Sequence, residues 1–149
     1  MEIRRLTRED LPSLIALYAQ LSDRHREMSL PRTEEVWDTV LKDDPNIVYL
    51  GAVDRGRVVS TCYLAVIPTL IYGGRPCALL ENVVTDAAYR RQGLAARLIR
   101  EAVEIARERG CYKLVLQSGV QRTGAHRFYE QLGFDGDRKR AFVLDLDEG

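Results

Sequence analysis

A strand, a short basic turn and a helix amino terminus follow one another directly between residues 82 and 95. The first turn of an α-helix carries N–H groups without intrahelical partners and the positive end of the helix dipole, so it can bind a phosphate. Gly93 allows a ligand to approach the backbone closely, and the small side chain of Ala95 leaves the same space open. Arg90 and Arg91 add positive charge beside it. The spacing therefore predicts a turn that binds phosphate groups.

This turn lacks the marks of the common nucleotide-binding loops. No Gly-Lys-Ser/Thr follows it, which excludes a Walker loop, and a single glycine does not make the dinucleotide-binding fingerprint. On its own, a glycine between two arginines and a helix is equally compatible with an ordinary helix start whose arginines are solvated. A second motif is needed to decide between the two interpretations.

That second motif lies downstream, at residues 125–134, where the sequence reads Ala-His-Arg-Phe-Tyr-Glu-Gln-Leu-Gly-Phe. Together with the run Arg-Arg-Gln-Gly-Leu-Ala at residues 90–95, it resembles the GNAT N-acetyltransferase superfamily. The earlier run fits that family's acetyl-CoA signature, Arg/Gln-x-x-Gly-x-Gly/Ala. The later one is similar to its carboxyl-terminal helix motif, A-x-x-x-Y-x-x-x-G-F. The order of elements along nearly the whole chain matches as well.

The resemblance implies which residues contact the cosubstrate, acetyl-CoA. Backbone amides from Arg91 to Ala95 would hold the pyrophosphate together with Arg90. The backbone of one strand would pair with the pantetheine arm in the gap where two parallel strands, residues 77–85 and 112–117, diverge. The later helix would line the other side of the arm. The residues implied in this contact are Val83, Val84, Thr85, Arg90, Arg91, Gln92, Gly93, Leu94, Ala95, Ser118, Ala125 and Phe128.

The resemblance also implies two catalytic residues, Glu81 and Tyr129. An aliphatic ammonium of pKa about 10.4 must lose a proton before it attacks at pH 7, which costs about 4.6 kcal/mol, whereas an α-amine needs only about 1.4 kcal/mol. Glu81 matches the carboxylate that many members use to accept this proton. The alternative is a structural carboxylate on the solvated face of the sheet. Tyr129 matches the phenol that protonates the departing thiolate, and its alternative is an aromatic residue on the core face of its helix.

Two regions depart from the family pattern. Arg122 stands where many members carry an asparagine that binds the pantetheine arm, so either Ser118 replaces that contact or the contact is missing. The end of the chain has room for one good strand, at residues 141–146, where many members have a hairpin. Tyr63, Tyr72 and residues 23–32 are candidates for shaping the acceptor pocket.

Hydrophobic periodicity gives the elements that must position these residues. Apolar residues at helical spacing predict helices near residues 8–21, 33–41, 93–109 and 123–132. Alternating or β-branched runs predict strands at residues 2–6, 47–53, 58–67, 77–85, 112–117 and 141–146. The predicted fold class is mixed α/β: a single GNAT-like domain over residues 1–149, with a central mixed sheet of about six to seven strands flanked by about four helices.

The composition fits this fold class and argues against others. The chain of 149 residues carries 22 Lys+Arg and 22 Asp+Glu, and a net charge of zero offers no general attraction to nucleic acid or to an acidic membrane. No apolar run approaches the about 20 residues that cross a bilayer, and the first residues lack the apolar core of a signal peptide.

Three separated cysteines, Cys62, Cys77 and Cys111, indicate reduced thiols rather than disulfides or a metal site. We therefore expect a cytoplasmic protein that binds neither a membrane nor nucleic acid. His25 and His126 are both expected to be solvated.

The function that the sequence predicts is acetyl transfer from acetyl-CoA to a primary amine, by direct attack in a ternary complex. The acceptor is expected to be a small molecule, and a homodimer is possible because dimers are common in the family. Two alternatives remain on the same fold: a non-catalytic acyl-CoA-binding or regulatory module, and a protein N-terminal or lysine acetyltransferase. A DNA-binding protein is disfavoured by the strands that flank the helix at residues 93–104 and by the zero net charge.

Overall fold

The computed structural model describes residues 1–21 and 28–147. The chain divides into two compact units, Met1–Leu116 and Gln117–Gly149. The first unit contains every strand of the described chain and three of its helices, and the second contains the last helix. The organisation as a single domain stays a prediction. His25 and most of the predicted pocket segment at residues 23–32 lie outside the described residues.

A five-stranded mixed sheet forms the centre of the first unit. The first four strands are antiparallel neighbours, and the last two are parallel. In spatial order, which is also chain order, the strands are β1 (Glu2–Arg5), β2 (Ile47–Asp54), β3 (Arg57–Ile67), β4 (Cys77–Thr85) and β5 (Leu114–Leu116). β1 and β5 are therefore the two edges of the sheet.

The described residues form four α-helices, the number predicted. They are α1 (Leu11–Tyr18), α2 (Leu30–Val36), α3 (Leu94–Glu108) and α4 (Thr123–Gln131). A 3-10 turn, Arg8–Asp10, leads into α1, and a π-helical turn, Trp37–Leu41, continues α2. The second helix begins earlier than predicted because Ser29 caps it, its side chain accepting a hydrogen bond from the Arg32 N–H at 3.3 Å.

α1 and α3 pack on opposite faces of the sheet, because neighbouring residues of a strand point to opposite sides. On one face, Val53 and Val58 pack against the apolar side of α1, which includes Leu11, Leu14 and Leu17. On the other face, Ala52 and Val59 pack against Leu94, the first residue of α3. The start of α3 is thus fixed by core packing, and α3 buries its predicted apolar stripe along its length.

A buried carboxylate ties β1 to the beginning of α1. Asp10 is only 5% exposed, and its oxygens accept hydrogen bonds from the Arg4 guanidinium at 2.7 and 2.9 Å and from the Thr7 N–H at 2.7 Å. The hydrogen bond from Arg4 is the main reason that the pKa of Asp10 lies below its ordinary value. The charge is therefore retained in the folded protein at neutral pH.

The prediction of six to seven strands is wrong, since the described residues form five. Residues 141–146 were expected to be a strand, but they take part in no ladder, and the large apolar side chains among them are exposed. Alternation predicts a strand only where a neighbouring strand pairs with its backbone and another element covers its apolar face. Among the described residues, no strand pairs with this segment. The strand expected at residues 112–117 shortens to Leu114–Leu116, because its pairing with β4 ends there. The α/β fold class is confirmed.

Two further properties concern the described part of the chain. None of its helices combines the length and apolar character that crossing a bilayer requires. Within the same residues, no group of three or more His, Cys, Asp or Glu side chains is arranged to hold a metal ion.

Candidate active site

The pairing of β4 with β5 ends halfway along β4. Residues 78–80 pair with residues 114–116, and beyond this point β3 is the one neighbour that β4 has among the described residues. From Glu81 to Thr85, the second edge of β4 is therefore open. Backbone N–H and C=O groups on an open edge can accept an extended ligand as an added strand. Val83, Val84 and Thr85, predicted to bind the pantetheine arm, lie on this open stretch.

A β-bulge interrupts β4 at the same place. Thr61 pairs with Val84 and Tyr63 with Glu81, so that Asn82 and Val83 together oppose Cys62. Asn82 has a φ of 53°, in the left-handed region that side chains other than glycine rarely adopt. A bulge disrupts the ladder and re-aims the strand locally. The backbone groups beside Glu81 are thus released from regular pairing.

The open edge of β4 leads directly into the start of α3. Gly93 precedes α3 with a φ of 75° and makes no side-chain cap, and the first helical hydrogen bond runs from the Arg97 N–H to the Gly93 carbonyl. The N–H groups of residues 94–96 therefore precede the helical ladder. A Cβ at Gly93 would meet nothing within 4 Å, so the space directly beside this residue is open.

The basic residues of the turn are exposed around this helix start. Arg90, Arg91 and Gln92 are all solvent-accessible. Arg90 folds back onto the end of β4, where its Nε donates to the Thr85 carbonyl at 3.2 Å. Arg91 has a φ of 62°, a costly conformation for arginine that the tight turn imposes. These residues bring positive charge to the end of the open strand.

Asp86 anchors the turn to the rest of the first unit. Its carboxylate accepts hydrogen bonds from the Ala88 N–H at 2.9 Å, from Arg57 at 3.2 Å and from the Gln20 side chain at 3.3 Å. The Ala88 N–H is the largest cause of the lowered pKa of Asp86. The sequence analysis missed this role. An aspartate followed by a short helical turn is a recognisable cap, but nothing in the sequence reveals its pairing with Gln20.

Tyr89 provides a second anchor for the turn. Its hydroxyl donates to the Asp54 carboxylate at 2.7 Å, and this hydrogen bond is the main reason that the pKa of Tyr89 is raised. The ring packs against the cluster of Ala52, Val59 and Leu94. The turn is therefore held at both ends, by Asp86 where it leaves β4 and by Tyr89 before α3.

Glu81 lies at the bulge, at the end of a row of aromatic side chains. Residues directly opposite each other in an antiparallel pair share a face of the sheet, so Glu81 shares its face with Tyr63. The ring centroids of Tyr63 and Tyr49 are 4.8 Å apart, and those of Tyr49 and Trp37 are 5.9 Å apart. The Glu81 side chain is half-buried and makes no hydrogen bond or ion pair with the described residues. Such a carboxylate is available to a ligand.

The phenols near this row stay protonated at neutral pH. Burial raises the pKa of Tyr49 to about 12 and also raises the pKa of Tyr18. Burial is likewise the main cause of the raised pKa of Tyr63. Tyr72 does not belong to this row: its ring contacts Tyr112 at 4.8 Å, at the opposite end of β4.

The remaining predicted residues lie in the second unit. On α4, Ala125, Phe128 and Tyr129 are three and four residues apart and therefore share one side of the helix. The ring of Tyr129 contacts that of Phe128 at 5.2 Å and that of Phe134 at 6.1 Å. Ser118 has a buried Oγ with no hydrogen-bond partner among the described residues.

His126 and Arg122 occupy other positions around α4. His126 is half-buried, and its Nε2 lies 2.8 Å from the Gly119 carbonyl, so it is less solvated than expected. Arg122 is exposed at the amino end of α4.

Comparisons with known proteins agree with this geometry. The model of the acetyltransferase (GNAT) family matches residues 6–134. The glucosamine 6-phosphate N-acetyltransferase of Trypanosoma brucei brucei is 41% identical over 91 residues, which are 61% of this chain and 59% of that protein. A rice protein (Oryza sativa subsp. japonica) named "Probable glucosamine 6-phosphate N-acetyltransferase 2" is 31% identical over 138 residues, covering 90% of this chain and 81% of its own length. A solved acetyltransferase of Trypanosoma brucei superposes with a TM-score of 0.82 at 33% identity, covering 97% of this chain and 99% of that chain.

Proposed function

The chain belongs to the GNAT acetyltransferase family, and from this premise we propose that it transfers the acetyl group of acetyl-CoA to the primary amine of a small amino sugar. The observation that carries the proposal is the open edge of β4, which runs from Glu81 to Thr85 and ends at a helix start without a side-chain cap. An extended amide-bearing chain with a pyrophosphate at its end has the chemistry that this arrangement can bind.

Each part of the cosubstrate has a counterpart in the first unit. The amide groups of the pantetheine arm would pair with the backbone of Val83, Val84 and Thr85 as an added strand. The pyrophosphate would accept hydrogen bonds from N–H groups of residues 91–95, aided by the helix dipole and by Arg90. Leu94 is 4% exposed, so its side chain serves the core and only its backbone would meet the ligand.

The proposed contacts in the second unit rest on the resemblance to the family. A buried hydroxyl without a partner costs roughly 1–3 kcal/mol, and Ser118 carries such a hydroxyl. A carbonyl or amide of the pantetheine arm would satisfy it. We therefore retain Ser118, Ala125 and Phe128 as proposed contacts of the arm.

The proposed reaction forms one bond and breaks one. The neutral amine nitrogen of the acceptor attacks the carbonyl carbon of the thioester, the carbon–sulfur bond breaks, and an amide and a thiol remain. Glu81 accepts the proton that the amine loses, directly or through water, and Tyr129 donates a proton to the departing sulfur. Holding both substrates in one site would be the largest contribution to the rate.

The aromatic row next to Glu81 supports a sugar as the acceptor. The rings of Trp37, Tyr49 and Tyr63 lie in one row. They combine flat apolar surfaces with an indole N–H and two phenol hydroxyls, which suits the alternating C–H and O–H groups of a sugar ring. Two relatives are named for glucosamine 6-phosphate. We therefore place glucosamine 6-phosphate first among acceptors to be tested.

A cytoplasmic location and a homodimer complete the proposal. The described cysteines are free thiols, with Cys62 buried and Cys77 and Cys111 partly so. Free thiols are the usual state in a reducing compartment, which supports the proposed location.

The test measures thiol release from acetyl-CoA with a panel of acceptors. Glucosamine 6-phosphate, glucosamine, an aminoglycoside and a short peptide with a free amino terminus would be compared, with fructose 6-phosphate as a control that lacks the amine. We expect turnover with the amino sugars and none with the control. Acetyl-CoA binding by calorimetry without turnover on any amine would instead identify a non-catalytic binding module. Turnover on the peptide alone would identify a protein acetyltransferase.

A further inference from the structure

A pocket of about 250 Å³ lies in the first unit, where the end of β1 meets the start of β2. Apolar and aromatic residues form much of its lining, among them Leu6, Trp37, Leu41, Ile47 and Tyr49. The pocket is smaller than the about 300–1,000 Å³ that drug-sized ligands occupy. Since one water molecule takes about 30 Å³, it has room for a small metabolite with on the order of ten non-hydrogen atoms.

The same pocket is lined by two basic and two acidic residues, Arg5, Lys42, Asp43 and Asp44. None of the four forms a salt bridge with another described residue. Arg4, the neighbour of Arg5 on β1, is instead paired with a buried carboxylate at 2.7 Å. Charges of both signs therefore face one small pocket without neutralising each other.

A ligand with one positive and one negative group would satisfy both kinds of charge. Arginine and lysine bind a carboxylate through charge-assisted hydrogen bonds, and aspartate binds an ammonium in the same way. One oxygen of Asp44 accepts the Asn46 N–H at 2.9 Å, and its other oxygen makes no hydrogen bond with the described residues. A ligand of a single sign would meet two residues of its own charge at the pocket.

We propose that this pocket binds a zwitterionic α-amino acid with an aliphatic side chain of the size of leucine. The carboxylate of the ligand accepts hydrogen bonds from Arg5 and Lys42, and its ammonium donates to Asp43 and Asp44. The aliphatic side chain packs against the apolar lining and the ring of Trp37. Removal of this side chain from water supplies the non-polar part of the affinity.

The pocket is separate from the proposed base. Tyr49 lines the pocket and pairs with Tyr63 on β3, and Tyr63 pairs with Glu81 on β4. Two strand spacings, about 10 Å, thus separate the wall of the pocket from Glu81. An amine bound at Asp43 and Asp44 lies beyond hydrogen-bond reach of Glu81. The amino acid in this pocket is therefore a second ligand and not the acetyl acceptor.

The experiment titrates the full chain with leucine in the absence of acetyl-CoA. It follows the fluorescence of Trp37, the only tryptophan of the sequence, and calorimetry measures the same affinity independently. Three further probes each lack one part of leucine: glycine lacks the aliphatic side chain, isocaproate the ammonium and isoamylamine the carboxylate. We expect saturable binding of leucine and at least about tenfold weaker binding of each of the other three.

Two variants test the basic side of the pocket. Arg5→Gln and Lys42→Gln each remove one positive charge, and both residues are exposed, so neither change affects the core. Each should weaken leucine binding at least about tenfold, because each removes a hydrogen bond between charged groups. Arg100→Gln is the matched control, since Arg100 is an exposed arginine on α3, outside the pocket. It should bind leucine with the affinity of the parent chain.

Three results would overturn the inference. The first is the absence of saturable leucine binding in both measurements. The second is binding of isocaproate or isoamylamine as tight as that of leucine, which would show that one charge is enough. The third is an unchanged leucine affinity in both Arg5→Gln and Lys42→Gln, which would place leucine elsewhere. An active acetyltransferase that does not bind leucine would refute only this inference, and a leucine-binding chain without transferase activity would refute only the proposed function.

Discussion

The side-chain amide of Gln20 forms hydrogen bonds with two consecutive residues of the turn that leads to α3. Its Nε2 donates to the Asp86 carboxylate at 3.3 Å, and its Oε1 accepts from the Ala87 N–H at 3.1 Å. Gln20 follows α1, whose Leu17 is buried in the core. The position of the proposed pyrophosphate turn thus depends on a residue that lies 66 positions before Asp86 in the chain.

We predict that Gln20→Ala weakens acetyl-CoA binding without abolishing the chemistry. Two exposed hydrogen bonds are each worth about 1 kcal/mol or less, so the KM for acetyl-CoA should rise about threefold to tenfold while kcat changes less. Gln20→Glu should raise KM further, because it removes the donor and places a second carboxylate beside Asp86. Steady-state kinetics with acetyl-CoA varied would measure both. An unchanged KM in both variants would show that the contact does not position the turn.

A comparison of Gly93→Ala with Gly110→Ala should distinguish the loss of folding free energy that backbone strain causes from a loss of acetyl-CoA affinity. Gly93 and Gly110 flank α3 with φ values of 75° and 77°, and an added Cβ meets nothing within 4 Å at either position. Either alanine variant should therefore lose about 1 kcal/mol of folding free energy through conformational strain alone. Calorimetry should show weaker acetyl-CoA binding for Gly93→Ala only. Equal affinity losses in both variants would place the pyrophosphate elsewhere.

Glu81→Gln tests the proposed base. A positioned general base contributes about 10²–10⁴ in rate, so kcat at pH 7 should fall by at least about a hundredfold, with acetyl-CoA affinity retained. The residual activity should keep rising at alkaline pH, because solvent then deprotonates the amine. Glu101→Gln, an exposed carboxylate on α3, is the control and should leave kcat unchanged. If the Glu81→Gln enzyme kept the parent rate and pH profile, Glu81 would not be the general base, and its interpretation as a structural carboxylate would stand.

Tyr129→Phe tests the proposed acid. The change keeps the ring and therefore its contacts with Phe128 and Phe134. Because a thiol of pKa about 8.5 is already a fair leaving group, kcat should fall only about tenfold to a hundredfold, with acetyl-CoA binding unaltered. Tyr112→Phe, at the opposite end of β4, should have no effect. If the Tyr129 variant turned over at the parent rate, the phenol would have no part in proton transfer.

How far the sequence predicts this protein depends on the range of the interactions involved. α3 and the turn before it are predicted closely, because fifteen residues with one apolar stripe and a glycine at each end determine a helix locally. The parallel pairing of β4 and β5 follows from the crossover helix. The bulge at Asn82 and the contact of Gln20 with Asp86 are not predictable, since both arise from distant parts of the chain.

The error at residues 141–146 has an instructive cause. Alternating apolar residues indicate that one face of the segment is to be covered, but they do not identify what covers it. The prediction of a strand in the sheet of the same chain assumed that the cover was intramolecular. In the described structure the large apolar side chains of the segment are exposed, so alternation alone did not place it in the sheet.

Asp10→Asn should destabilise the protein in a pH-dependent way. The folded protein lowers the pKa of Asp10, chiefly through the hydrogen bond from Arg4, so it binds this proton more weakly than the unfolded chain does. The stability gained is therefore fully present above the unfolded pKa of about 3.9 and is lost as the pH falls through the lower, folded value. At pH 7 the variant removes the anionic partner that Arg4 contacts at 2.7 Å and leaves it the more exposed Glu2 at 3.4 Å. Since the Arg4 side chain is 30% exposed, we expect a loss of about 2 kcal/mol, less than for a fully buried pair.

Urea unfolding at several pH values provides the measurement. The difference in unfolding free energy between the parent and Asp10→Asn should be largest near neutral pH and should shrink below about pH 4. Asp43→Asn, a change at an exposed aspartate, should alter stability by no more than about 0.5 kcal/mol at any pH. A gap that is as large at pH 3 as at pH 7 would mean that Asp10 stabilises the fold through its two hydrogen-bond acceptors, one of which asparagine replaces with a donor, and not through its charge. Because the same carboxylate fixes the entry into α1, a loss confined to neutral pH would tie the placement of that helix to one ionised group.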